Sequence, residues 1–198
     1  MKANETKLLD FLKKSPQFMI PIYQRTYSWT QSQCQQLWDD LLRAGENEAI
    51  QAHFIGSIVY IEDGLYHVSS QTSLLVIDGQ QRLTSVSLIL EALARALPEG
   101  AEVQGFTAKK LRHYFLLNPL EDGEKAYKLL LTRIDKDTLL ALLNQKQYPK
   151  PHSVRLQESF DFFAAQIKAL GNDLSPLLKG LNKLMAVDIA LSRGQDNP

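Results

Sequence analysis

The sequence predicts an α+β fold, with a small mixed sheet followed by a mainly helical second half. Three observations carry that expectation. Over residues 1–100 the apolar period switches from two to about 3.6 and back, so strands and helices alternate. A buried strand runs straight into an amphipathic helix at 76–85. Beyond residue 100 the apolar residues recur mostly at helical spacing.

Each element has its own signal. Residues 5–14 place Leu8, Leu9 and Leu12 on one helical face and stop at Ser15-Pro16. QFMIP (17–21) predicts a short strand that Pro21 ends. Thr30 opens a helix of about 15 residues, with Gln33 in capping-box register and Trp38, Leu41 and Leu42 as a buried stripe. FIGSIVYIE (54–62) and LYHVS (65–69) predict two strands joined by an Asp63-Gly64 hairpin turn. LLVID (74–78) is apolar along its length, as a central strand is. From Gln80 to Leu97, Leu83, Val86, Leu90, Leu93 and Leu97 share a face, and Pro98-Glu99-Gly100 ends the helix. Further helices are predicted at 107–115, 136–145, 153–170 and 174–182, and short strands at 126–132 and 185–191. The expected division is an α+β core at 1–100 and a mainly helical extension at 101–198. SRGQDNP has neither a helix cap nor a closing strand, which fits a natural C-terminus and a break before the rest of a longer domain equally well.

Composition narrows the function classes. With 44% hydrophobic and 22% charged residues, the chain can bury a real core. Its 22 basic and 22 acidic residues cancel, which argues against an overall electrostatic grip on nucleic acid and leaves only a local patch. A single cysteine, Cys34, excludes an intrachain disulfide and a multi-thiolate zinc site, and reads as a small buried side chain. No apolar run approaches the ~20 residues that span a bilayer, and the N-terminus has no secretory pattern. The expectation is a cytoplasmic protein with no membrane partner. His53, His67, His113 and His152 are scattered without metal-ligand spacing.

VIDGQQRLTS (76–85) is the most informative stretch. A strand ends at Asp78, Gly79 permits a tight turn, and a helix begins at Gln80, so open N–H groups and the positive end of a helix dipole meet at a sheet edge. That arrangement suits phosphate, and Arg82 in the first turn can add a bidentate clamp. Gln80 and Gln81 offer amides that can orient a water or contact a base or sugar. Asp78 can hold Mg2+ or orient an attacking water. The same residues also read as a plain helix start, with Asp78 as N-cap and Gln81 at N3. An N-capping Asp78 would consume a donor that an anion needs.

IPIYQRTYSWT (20–30) is the second unusual segment. Tyr23, Gln24, Arg25, Tyr27 and Trp29 mix aromatic rings with a cation, which suits stacking on a base beside a phosphate contact. Tyr and Trp in such a loop also serve as core anchors. In HFIGSIV, Gly56 and Ser57 mark either a close approach of ligand to backbone or a bulge. Lys109, Lys110 and Arg112 form a basic stretch on a helix, either a DNA-backbone contact or a solvated face.

IPIYQRTYSW, FIGSIV and IDGQQRLTS, in this order and at these distances, resemble the N-terminal domain of the GmrSD-type family. That family includes modification-dependent restriction enzymes of the GmrSD and SspE kind and RloF-like proteins. YKLLLTRID and VRLQESFDFF extend the resemblance over nearly the whole chain. It implies a ParB/sulfiredoxin-like core and a DGQQR motif, here Asp78, Gly79, Gln80, Gln81 and Arg82, tied to nucleoside-triphosphate binding and hydrolysis with Mg2+ in phage defence. Gln24, Arg25, Tyr27, Trp29, Gly56 and Ser57 would complete the nucleotide pocket, with Asp78 and Gln81 catalytic. Full-length members often carry a His-Asn-His-type nuclease domain, and no such motif occurs in these residues. The expected role is therefore an NTP-binding and hydrolysing domain that regulates DNA cleavage performed elsewhere. The alternatives are a non-enzymatic module that recognises modified DNA, or a ParB-like DNA nuclease. Sulfiredoxin-like enzymes use a cysteine in the phosphate-binding turn, and this turn has none.

Overall fold

The apolar run at 74–78 takes an interior place in the sheet, as its composition predicts. A computed structural model of the chain describes residues 2–63 and 72–191. Among them, six strands form one mixed sheet: β1 (Lys2–Lys7), β2 (Phe18–Met19), β3 (His53–Asp63), β4 (Ser73–Asp78), β5 (Leu129–Leu130) and β6 (Leu184–Leu191). Their spatial order is β1-β6-β3-β4-β2-β5. β4 lies between β3, antiparallel, and β2, parallel; β6 runs parallel to β3 and antiparallel to β1. The helices are α1 (Leu8–Lys14), α2 (Gln31–Glu46), α3 (Gln80–Ala96), α4 (Ala108–Phe115), α5 (Arg133–Leu143), α6 (Val154–Ala169) and α7 (Ser175–Asn182). The α+β class with a mixed sheet is the one the sequence predicts.

α3 is the central helix. Val86, Leu88, Ile89, Leu90 and Leu93 are fully buried, because α3 packs against both α4 and α6 as well as following β4. α2 and α7 cross through glycines. A Cβ on Gly45 would stand 1.8 Å from the Pro176 carbonyl oxygen, and one on Gly180 would stand 2.1 Å from that of Leu41. The two backbones therefore meet with no side chain between them.

Three expectations need correction. The first helix begins at Leu8 rather than residue 5, because residues 2–7 pair with β6 from Lys2↔Ala190 to Lys7↔Met185. A partner more than 180 positions away is invisible to local periodicity. The strand expected at 126–132 shrinks to Leu129–Leu130, since Gly123–Ala126 forms a 3-10 turn and α5 already begins at Arg133. The helix start at 78–81 also differs, as described below. Asp63 is the last residue of β3, while Gly64 and the strand at 65–69 lie outside the described residues. β5 and β6, both from beyond residue 100, complete the sheet.

Candidate functional site

β4 ends at Asp78, and Gly79 turns the chain into α3 with φ +101, a left-handed conformation that disfavours any side chain. Gly79 itself is the N-cap, so Gln81 stands at N2 rather than N3. The Asp78 side chain does not cap the helix as the local pattern predicts. Its Oδ1 accepts the Gly79 N–H at 2.8 Å, and no side chain caps the first turn. The N–H groups of that turn are consequently open at the positive end of a 17-residue helix.

Arg82 leans back over β3. Its Nη1 donates to the Ser57 carbonyl. Gly56, at φ +110 beside a register shift between Phe54 and Ser57, makes room for it: a Cβ there would meet the guanidinium at 2.8 Å. Gly56 and Ser57 thus position Arg82 through backbone alone.

The loop between β2 and α2 forms the opposite wall. Gln81 pins it, accepting from the Ser28 N–H at 2.9 Å and donating to the Thr26 carbonyl at 3.2 Å. Gln80 donates to Gln24 Oε1 at 3.1 Å, and Gln24 Nε2 donates to the Ile77 carbonyl at 2.9 Å. At the loop's far end Gln33 Oε1 accepts the Thr30 N–H at 2.7 Å, in the capping-box register the sequence predicts. The result is a cleft of about 430 Å3 lined by Gln24, Arg25, Trp29 and the turn from Asp78 to Arg82. Arg25 is exposed and makes no ion pair among the described residues.

Tyr27 goes elsewhere. It is buried, and its hydroxyl lies 2.8 Å from Ser85 Oγ and 3.8 Å from Cys34 Sγ. Burial, reinforced by the neighbouring Cys34, pushes that hydroxyl's pKa well above the ordinary tyrosine value. Tyr27 is a core anchor and does not line the cleft. Its N–H donates to Asp135 Oδ2 at 2.6 Å, while Asp135 Oδ1 is buried without a partner among the described residues. Sequence reasoning missed Asp135. The only local signal is Thr132-x-x-Asp135, which reads as a cap for α5 yet reaches across to the loop instead.

The basic stretch on α4 is mostly occupied. Arg112 forms two hydrogen bonds to buried Glu91, both at 3.0 Å, and Lys110 reaches Glu102 at 3.1 Å and the Gly105 carbonyl at 3.0 Å. Lys109 is exposed. None of the three lines the cleft. Cys34 is fully buried, as expected. Among the described residues no group of three or more His, Cys, Asp or Glu side chains can hold a metal ion. No helix among them is long and apolar enough to cross a membrane.

An α+β domain with an open strand-to-helix turn and two guanidinium groups facing one cleft defines a general class of candidate anion-binding domains. The family assignment is narrower. The family described as GmrSD restriction endonuclease, N-terminal domain, matches residues 7–196, nearly the whole chain. The chain belongs to that family, and with it to the proteins of restriction systems. A domain described as the N-terminal part of an endonuclease implies, in that family, a nuclease domain outside it. No curated protein matches the chain.

Proposed function

We propose that the domain binds a nucleoside triphosphate in the cleft beneath Gly79 and hydrolyses it, and that this controls DNA cleavage by a nuclease domain outside these residues. The supporting observation is the convergence of the uncapped start of α3, Arg82 and unpaired Arg25 on one cleft, in which Asp78 is the single carboxylate among the described residues. The backbone N–H groups after Gly79 bind the phosphates, and Arg82 clamps them in a direction fixed by Ser57 and Gly56. Arg25 neutralises the outer end.

One carboxylate suits Mg2+, which is commonly held by one or two carboxylates plus substrate phosphates. Asp78 would hold the ion, whose contribution is to neutralise charge on the phosphate oxygens. Asp78 Oδ1 already accepts the Gly79 N–H, and Oδ2 would be the freer oxygen for water or ion. Gln81, with both ends of its amide committed to the loop, acts as a positioning residue. Gln80 and Gln24 orient each other at the cleft wall.

The test is a thermal-shift series with ATP, GTP, CTP and UTP, with and without Mg2+, on the wild type and Arg82→Ala. A ligand at ~100 times its Kd stabilises the folded state by about 2.7 kcal/mol, a shift of several degrees. The expected result is a shift with at least one nucleotide that disappears in a folded Arg82→Ala protein. No shift with any nucleotide, or an unchanged shift in the variant, would overturn the reading. No observed surface favours direct DNA recognition by α4, because Arg112 and Lys110 are occupied within the domain.

A further inference from the structure

A second cavity of about 230 Å3 adjoins the cleft and shares two of its walls, Trp29 and Arg82. Its surface has a different character. Leu37, Phe54, Ile55 and Val86 give it an apolar lining. The polar groups at its rim are already paired. Asp40 Oδ1 accepts from Arg43 at 2.7 Å and from Gln36 at 3.2 Å, and Asp40 Oδ2 lies 3.5 Å from His53 Nε2. Apart from Arg82, which it shares with the cleft, the cavity offers no unpaired charge among the described residues, only an apolar slot with an indole on one side.

Resting on the phosphate reading above, we infer that this second cavity is the nucleobase subsite of the same nucleotide. A ligand that reaches across Arg82 must be anionic at one end and flat and uncharged at the other. A nucleoside triphosphate has that form; inorganic polyphosphate lacks the flat end. Trp29 and Phe54 supply the aromatic surfaces, since base–aromatic stacking tolerates any base and contributes without hydrogen-bond readout. Phe54 supports the assignment independently. It is 57% exposed, a large apolar side chain held open at the bulge that also carries Gly56. The bulge thus serves both halves of the ligand: Gly56 admits the arginine, and Phe54 faces the base.

The test is titration calorimetry with ATP, GTP, CTP, UTP and inorganic tripolyphosphate, each with Mg2+, on the wild type, Phe54→Ala, Phe54→Trp and Arg82→Ala. Phe54 is largely exposed, so its variants keep the fold. The wild type should bind at least one nucleotide tenfold or more tightly than tripolyphosphate. Phe54→Ala should lose most of that preference while leaving tripolyphosphate binding unchanged, and Phe54→Trp should retain it. Arg82→Ala should weaken both ligands together. Equal binding of tripolyphosphate and all nucleotides by the wild type would overturn the base subsite while leaving the phosphate cleft intact. So would a preference that survives Phe54→Ala, or a loss in that variant that falls equally on both ligands. Binding of neither ligand by the wild type would remove the phosphate reading and the base subsite with it.

Discussion

The guanidinium of Arg82 lies where a side chain on Gly56 would collide with it, so position 56 governs Arg82 without itself meeting a ligand. Gly56→Ala adds a Cβ at φ +110, which costs on the order of 1–3 kcal/mol in backbone strain, and it also displaces the arginine. Nucleotide affinity measured by calorimetry should fall at least tenfold although every side chain of the turn is intact. Asp135 is the second residue whose effect exceeds what its position implies. Asp135→Ala leaves the Tyr27 N–H buried and unpaired, a loss of about 1–3 kcal/mol. At roughly 2–4 °C per kcal/mol for a chain of this size, its Tm should drop by several degrees in a calorimetric scan. The same scan on Asp135→Asn, which keeps an acceptor oxygen, should show a smaller drop.

Helices α3 and α4 are joined by one buried carboxylate. Glu91 is fully buried and accepts from Arg95 at 2.8 Å and from Arg112 at 3.0 Å. Glu91→Ala removes the shared acceptor of two part-exposed arginines, so denaturant titration should show a loss of about 1–3 kcal/mol. Much of this was legible beforehand. The strand-to-helix junction at Asp78–Gln80, the start of α2 after Thr30 and the interior rank of β4 follow from turn chemistry and apolar spacing, which act within a few residues. Three features were not legible, each because a distant partner decides it. β1 forms only because β6 pairs with it. Tyr27 turns inward because Ser85 and Asp135 bond it there. Arg112 on α4 is occupied because Glu91 lies beneath it. In the cleft, the sequence singles out Gln24, Arg25, Trp29 and the turn residues. It has no way to show that the Gln81 amide would be committed to Thr26 and Ser28.

Across the whole molecule, several groups tie stability to alkaline pH, and Tyr60 and Lys128 do so with opposite signs. Tyr60 donates to Asp188 at 3.3 Å, and burial, followed by the nearby carboxylate, pushes its pKa up to about 12. Between the ordinary value of 10.0 and about 12 the unfolded chain has lost this proton while the folded chain keeps it, so stability falls as pH rises through that window. Lys128 works the other way. Burial lowers its pKa, so the unfolded chain binds more protons just below the usual lysine range and stability rises there with pH. Denaturation midpoints measured from pH 8 to 12 should decline above pH 10, and Tyr60→Phe should reduce that decline, with Tyr27 and Tyr148, also raised by burial, carrying the rest. The pairing of β1 with β6 also bears on how the protein comes into being. Asn4 and Asp188, hydrogen-bonded across these strands, are 184 residues apart. On a ribosome adding ~5–20 residues per second, β1 emerges on the order of ten seconds or more before its partner exists. A strand that waits so long with a bare edge is exposed to every other nascent chain nearby. KANETK, with two lysines, a glutamate and no large apolar residue, is composed to survive that interval without sticking.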